Sequence, residues 1–346
     1  MKKILLIIHS VLYILIAEAL ADNYYVNEDL TPNSELVALF RAFKPLLQDC
    51  SAVSKEKLEY ILNDNTPASK ISVYDLYKIA NEKFKMPRSL KREDAKSFNQ
   101  KFLPYDSNKV RRFICDLGDC ETIYPKINKP IKYILIKANT INRTRKRVHF
   151  LAELVITNKI QITPAAEIVF LTGDRDLYPE EKSEEVQFFD NKYSFDKKWK
   201  APNKLAENEH ELAKIVWSQI SMPQVLRDAK ITFIKAGKKT SIDPKTGKTL
   251  ITRPYSVDTI VKWLSDNNIK PGHCLAISNQ PFVKYQELVI KRGFIHQKAH
   301  GFTVEGVGPA KAKNDYMLAI YLDNVTRNLY EIITTENLKN LRHFKN

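Results

Sequence analysis

The residues of this chain with the most chemical potential are acids, amides and arginines placed at the ends of apolar runs. Asp174 and Asp176 follow the apolar run at 167–172 with Asp-x-Asp spacing. An aspartate at such a strand end, beside a second acid, can receive a phosphoryl group or help hold a divalent cation. Gly173 stands between the run and the first acid, which sets this pattern apart from the usual aspartyl-phosphate arrangement. Glu209 opens the helical period at 207–220. A carboxylate there either caps the helix and complements its dipole, or accepts from a ligand's hydroxyl or amine. One expectation follows: a metal-dependent hydrolase or phosphoryl-transfer enzyme using Asp174, Asp176 and Glu209, with Glu209 and Asp174 as the candidate catalytic residues.

A second set of residues points to an anion. Asn139, Gly173, Arg175, Ser278, Asn279 and Gln280 all follow apolar runs. Arg145 and Arg147, with Arg143, lie at the start of a helical period, and Thr259 lies in the first turn of another. Small and polar residues at strand ends, with arginines and helix N-termini beside them, suit a phosphate or carboxylate. Alternate spacing lets at most two of the three arginines face one site. Glu209 joins this set as a ligand-binding candidate.

Several familiar chemistries are missing from the sequence. It has no Gly-x-Gly-x-x-Gly, Walker lysine loop, nucleophile elbow or His-Glu-x-x-His. Glu209-His210-Glu211 lacks a second histidine, and the four cysteines lack two close pairs, so no metal centre is expected. No motif names a cofactor. The formal charge of +15 is not arranged as lysines and arginines interleaved with aromatics, so nucleic acid is not an expected partner.

The elements that must position these residues fall in two regions. Up to about residue 125 the apolar residues keep a helical period: Leu36, Leu39, Phe40, Phe43 and Leu47; Leu58, Ile61 and Leu62; Val73, Leu76, Ile79, Ala80 and Phe84; Val110, Phe113, Ile114 and Leu117. Asn33/Ser34, Ser54, Ser72 and Asp106-Ser107 precede them as caps. After Pro130, strands predicted at 131–138, 167–172, 231–236, 273–278 and 303–306 alternate with helices at 145–157, 207–220, 256–267 and 282–292, with a last packed helix at 314–323. Strands apolar throughout and joined by helices imply a parallel sheet covered on both faces, an α/β three-layer fold of Rossmann-like type. In such sheets ligands bind beyond the carboxyl ends of the strands, where the second set of residues lies. Residues 174–206 and a hairpin at 240–252 interrupt the rhythm as insertions, and loops of such length often close over or bind a ligand.

The first residues carry an address. Lys2 and Lys3 precede an apolar run at 4–16, and Ala19-Leu20-Ala21 supplies a small-x-small cleavage pattern. The run is shorter than the ~20 residues that span a bilayer. A signal peptide over 1–21, cleaved near Ala21, predicts a periplasmic or secreted protein with no transmembrane segment after cleavage. The expected organisation is therefore 1–21 leader, 22–125 helical region and 126–346 Rossmann-like domain. Export permits disulfides, and one bridge is expected among Cys50, Cys115 and Cys120, with Cys274 a buried free thiol.

The ordered blocks from Ile131 to about Gly308 resemble the YdcF/SanA/ElyC-like family. They are Arg145 or Arg147, Leu171-Thr172-Gly173, Asn208-Glu209, the segment from Arg253 to Thr259, and Ile277-Ser278-Asn279-Gln280-Pro281. Ser278 to Pro281 with Tyr285-Gln286 is most similar to an exported branch. The resemblance covers about half the chain and leaves the helical region outside it. It implies a Rossmann-like sheet and a site at the Arg, Gly173, Glu209, Thr259 and Ser278 positions, with some members resembling nucleotide-type or S-adenosylmethionine binders and others linked to envelope integrity. Phe282 and Lys284 stand where many members carry a His and an Arg. The expected function is an envelope protein binding an anionic, phosphate-bearing small molecule or envelope precursor, with cell-wall or lipid-carrier metabolites as the class. The other expectations are the hydrolase above and a non-catalytic interaction module in which the helical region docks a partner.

Overall fold

The structure, a computed structural model, describes residues 25–87, 92–126, 129–189, 193–242, 247, 249–266, 269–311 and 317–343. The expected leader and the tip of the expected hairpin lie outside these residues. The chain divides into two compact units, Met1–Glu121 with Ala312–Glu336, and Thr122–Lys311 with Asn337–Asn346.

The first unit is helical. Helices α1 (Ser34–Ala42), α2 (Lys44–Leu47), α3 (Lys55–Leu62), α4 (Val73–Lys83), α5 (Arg92–Gln100) and α6 (Asn108–Asp116) follow in sequence. Three start where a short polar side chain satisfies a free backbone N–H: Asn33 accepts from Leu36, Ser54 from Lys57 and Ser107 from Val110. Their apolar stripes meet in a core around Phe40, Phe43, Phe84 and Phe102, with ring centroids 5.2–6.2 Å apart. Of the three cysteines among which a bridge is expected, Cys115 and Cys120 are joined, with Cα atoms 4.8 Å apart, while Cys50 and Cys274 are buried free thiols. Gly118 lies inside that short loop at φ +77°, a conformation that costs a side-chain-bearing residue far more.

The second unit carries a five-stranded parallel sheet. Its strands are β1 (Ile131–Lys137), β2 (Glu167–Gly173), β3 (Lys230–Ala236), β6 (His273–Ile277) and β7 (Thr303–Val307), in the order β3-β2-β1-β6-β7. Between β3 and β6 runs a separate antiparallel ribbon, β4 (Lys239–Ile242) with β5 (Thr249–Thr252). Alternating side chains of each strand feed two cores. Ile134, Ile136, Ile168, Phe170 and Ile277 pack on one face against helices α7 (Ile141–Ile156) and α9 (Glu209–Gln219). Leu135, Val169, Leu171 and Ala276 pack on the other against α11 (Ser256–Asp266) and α12 (Val283–His296). One-turn helices α8 (Glu184–Phe188) and α10 (Gln224–Arg227) complete the connections. This is the expected three-layer α/β fold of Rossmann-like type, and the strand order reverses between β1 and β6.

Two features differ from the sequence expectation. Helix α7 begins four residues early, at Ile141, so Arg145 and Arg147 sit in its second turn. Its first N–H is capped from a distance: Ile141 N donates to Glu181 Oε1 at 2.9 Å, a partner 40 residues away that local sequence does not announce. The last helix, α13 (Leu318–His343), runs well past the expected end at 323, and up to Glu336 it belongs with the helical unit instead of the α/β layer. Its polar residues explain why: Asp323 accepts from Met86 N at 3.0 Å, Thr326 donates to Ala80 O at 3.2 Å, and Asn324 donates to Asp119 Oδ2 at 2.9 Å. Tyr25 donates to the same Asp119 oxygen at 2.5 Å, and burial pushes its phenol pKa well above the usual value. Among the described residues no helix is long and apolar enough to cross a membrane.

Candidate functional site

The carboxyl edge of the sheet gathers most of the expected site residues, and a network of buried charges holds them there. Arg175, just beyond β2, is the hub. Its Nε donates to Glu209 Oε2 at 2.9 Å, one Nη to Glu181 Oε2 at 2.8 Å and the other to Asn139 O at 3.3 Å. Glu209, the first residue of α9, turns its other oxygen to the N–H of Gly173 at 2.9 Å. The ends of β1 and β2 and the N-termini of α7 and α9 are thus tied through Glu209, Arg175 and Glu181. Burial by itself would lower the Arg175 pKa, but Glu181 and Glu209 outweigh it and raise it. A Cβ at Gly173 would lie 2.9 Å from Pro254 Cγ, so a side chain there requires Pro254 to shift.

Arg147 is held differently. Its side chain is 1 % exposed. Nε donates to Asn279 Oδ1 at 2.9 Å, across the point where the strand order reverses, and Nη1 donates to the carbonyl of Lys137. Both partners are neutral oxygens, and no described carboxylate is in ion-pair contact with it. Burial, with Arg143 adding to it and Glu209 opposing, pulls its pKa down to about 9. A guanidinium stays charged at neutral pH even so, which leaves in the edge of the sheet a buried positive charge with no ion-pair contact among the described residues.

Lys137 lies beside it. The last residue of β1, it points to the α11 side, and its ammonium donates to Thr259 Oγ1 at 3.3 Å, which in turn donates to Ser256 O at 2.7 Å. It too has no described carboxylate in ion-pair contact, and burial pulls its pKa down to about 8. A small cavity lined by Leu135, Lys137, Ser256, Ala276 and Gln286 has room for about one water molecule. The Ser278 hydroxyl, just past β6, is fully buried and has no hydrogen-bond partner among the described residues.

Asn139, Arg147, Gly173, Arg175, Glu209, Thr259, Ser278 and Asn279 therefore come to the carboxyl edge of one sheet. Gln280 is buried there and donates its N–H to Pro309 O at 3.1 Å. Arg145 does not join them. Its guanidinium donates to the carbonyls of Val186 and Gln187 and to Gln219 Oε1 at 2.8–3.3 Å, which fastens α7 to the 174–206 insertion and to the end of α9. The acids of the hydrolase expectation also diverge. Asp174 pairs with Lys235 at 3.1 Å, exposed Asp176 with Lys238 at 3.0 Å, and Glu209 with Arg175. Among the described residues, no three His, Cys, Asp or Glu side chains are grouped to hold a metal ion.

Lys137 and Glu181 are the additions that sequence reasoning missed. Lys137 carries a local signal, being a cation in phase with the inward-facing Tyr133 and Leu135 of an otherwise apolar strand. Glu181 carries none, because only the fold of the insertion brings it under α7. Compared with protein-family models, curated proteins and solved structures, the chain matches none.

Proposed function

We propose that this chain binds a small anionic, phosphate-bearing molecule at the reversal point between β1 and β6, and that it does so outside the cytoplasm, on an envelope precursor of the cell-wall or lipid-carrier class. The observation that carries the binding reading is the pair Arg147 and Lys137: two cations at the carboxyl edge, both with pKa values lowered by burial and both, among the described residues, hydrogen-bonded to neutral oxygens only. An unpaired buried charge is costly, and a bound anion is the partner that removes the cost. Open parallel sheets present their ligand crevice at this reversal point, with helix N-termini turned towards it. The cavity at Lys137 admits about one water, so the ligand presents a charged group here and keeps its bulk outside. Resemblance to the YdcF/SanA/ElyC-like family and the leader-like residues up to Ala21 support the envelope setting.

Thermal unfolding in inorganic phosphate or pyrophosphate, against chloride at equal ionic strength, tests the binding. A ligand at a hundred times its Kd stabilises by about 2.7 kcal/mol, a rise of several degrees for a unit of this size. The rise is expected to vanish in Arg147→Gln and in Lys137→Met; if Arg147→Gln does not fold, Lys137→Met alone decides. No rise in the wild type, or a rise that survives Lys137→Met, overturns the reading. For the setting, the mature protein from a secreting host is expected to begin at Asp22 by intact mass.

A further inference from the structure

Lys137 brings a primary amine to a small cavity whose walls are mostly apolar. Leu135, Leu171, Ile260 and Ile290 line it, and Ser256 and Gln286 are its other polar residues. The Lys137 ammonium has one described hydrogen-bond partner, Thr259 Oγ1 at 3.3 Å. That hydroxyl has a single proton and gives it to Ser256 O at 2.7 Å. Thr259 can therefore accept from the Lys137 nitrogen but cannot donate to it, so the lone pair of a neutral amine held here is left open to reaction. Part of Lys137 remains exposed, which gives a small molecule a way to the nitrogen.

We propose that the Lys137 amine forms an imine with a carbonyl group of the ligand, which makes the ligand a small phosphorylated aldehyde or ketone. The phosphate end rests on the anion binding at Arg147; the imine rests on the amine and its cavity. A lysine becomes a nucleophile near neutral pH when apolar surroundings desolvate it or another cation stands close. Both conditions hold here. Desolvation is the main cause of the pKa near 8; Arg147 and Arg253 act in the same sense, while Glu209 and Asp258, already paired with Arg175 and Lys239, oppose it. About a tenth of the amine is then neutral at pH 7, against roughly one part in 2,500 for an ordinary lysine. In the reaction the Nζ lone pair attacks the carbonyl carbon, and the carbonyl π pair passes to oxygen, which takes up a proton as nitrogen sheds one. The C–O bond then breaks with its electron pair, the nitrogen closes the C=N bond and loses its remaining proton, and the oxygen leaves as water. Nothing is oxidised or reduced. Ser256 and Gln286 carry a hydroxyl and an amide able to donate to that oxygen, and the cavity has room for about one water molecule.

The test is reductive trapping of the whole chain at pH 7 with glycolaldehyde phosphate and sodium cyanoborohydride, followed by peptide mass mapping, with glycolaldehyde as the uncharged counterpart. Lys137 is expected to be labelled about tenfold or more faster than the exposed lysines, an advantage that shrinks towards pH 10 as those lose their protons. Glycolaldehyde phosphate should label it faster than glycolaldehyde does, because its phosphate is held at Arg147. Labelling of Lys137 no faster than that of exposed lysines, with either aldehyde, overturns the imine; if inorganic phosphate still raises the melting temperature, the anion binding survives that failure. Fast labelling at equal rates by the two aldehydes, with no rise in melting temperature from phosphate, would sink the anion binding and with it the phosphorylated class of ligand, and would leave only the reactive amine.

Discussion

Arg147 and Asn279 stand 132 positions apart in the chain and share a hydrogen bond of 2.9 Å across the reversal point of the sheet. The bond joins the second turn of α7 to the turn that follows β6, so the two halves of the sheet meet through a charged donor and a neutral acceptor. That mismatch distinguishes the place. Elsewhere along this edge the buried cation Arg175 meets carboxylates, whereas Arg147 donates to neutral oxygens.

Lys137 should make the folded state sensitive to alkaline pH. Its pKa in the folded chain is about 8, against roughly 10.4 in an unfolded one. Between those values the unfolded chain binds a proton that the folded chain does not, so stability contributed at this position rises with pH across that window; below it the buried ammonium is a steady penalty. Lys137→Met is therefore expected to be more stable than wild type at pH 7 by about 2 kcal/mol without ligand, the gap closing towards pH 10. Urea unfolding at the two pH values measures it, and a less stable variant at pH 7 would contradict the assignment.

Glu287 works in the opposite sense. Burial alone would raise its pKa, but Lys291 at 2.7 Å, Lys284 and the N–H of Gly306 at 3.0 Å hold it down at about 2. A carboxylate with a depressed folded pKa contributes stability above its unfolded value, near 4.3, and loses it as pH falls through the folded value. Glu287→Gln is expected to cost about 3 kcal/mol at neutral pH and little near pH 2. Denaturant midpoints of the two proteins should converge between those limits.

Gly173→Ala puts a methyl group 2.9 Å from Pro254 Cγ, beside the Glu209 carboxylate. Overpacking of this kind costs about 1–3 kcal/mol. Because Glu209 holds both Gly173 N and Arg175, the stabilisation by phosphate should fall along with the melting temperature. A variant that melts as wild type does would show that Pro254 gives way freely.

The bridge between Cys115 and Cys120 closes a short loop, so reducing it is expected to cost the helical unit only about 2 kcal/mol. Alkylation under denaturing conditions should label two thiols, Cys50 and Cys274, before reduction, and all four cysteines after it.

Sequence by itself determined the layers. Runs such as 131–137 and 167–173 are apolar on both faces, which only a sheet covered on both sides can bury, and the helical stripes between them supply the covers. The same runs told where the carboxyl edge lies, and hence that Asn139, Gly173, Glu209 and Ser278 share it. What the tertiary structure decided was which charges face one another. Arg145 and Arg147 are two residues apart on one helix, yet one is spent on the carbonyls of an insertion and the other faces the reversal point. Asp174 and Glu209, both plausible as partners in the chain, are drawn apart by Lys235 and Arg175. Helix α13 follows the last strand in sequence but joins the first unit, because Asp323, Asn324 and Thr326 find their hydrogen-bond partners there. Periodicity reports how much of a segment must be buried; it does not carry the identity of a long-range ionic or hydrogen-bonded partner, since a charge can be met by any opposite charge or polar group that the fold brings within a few ångströms.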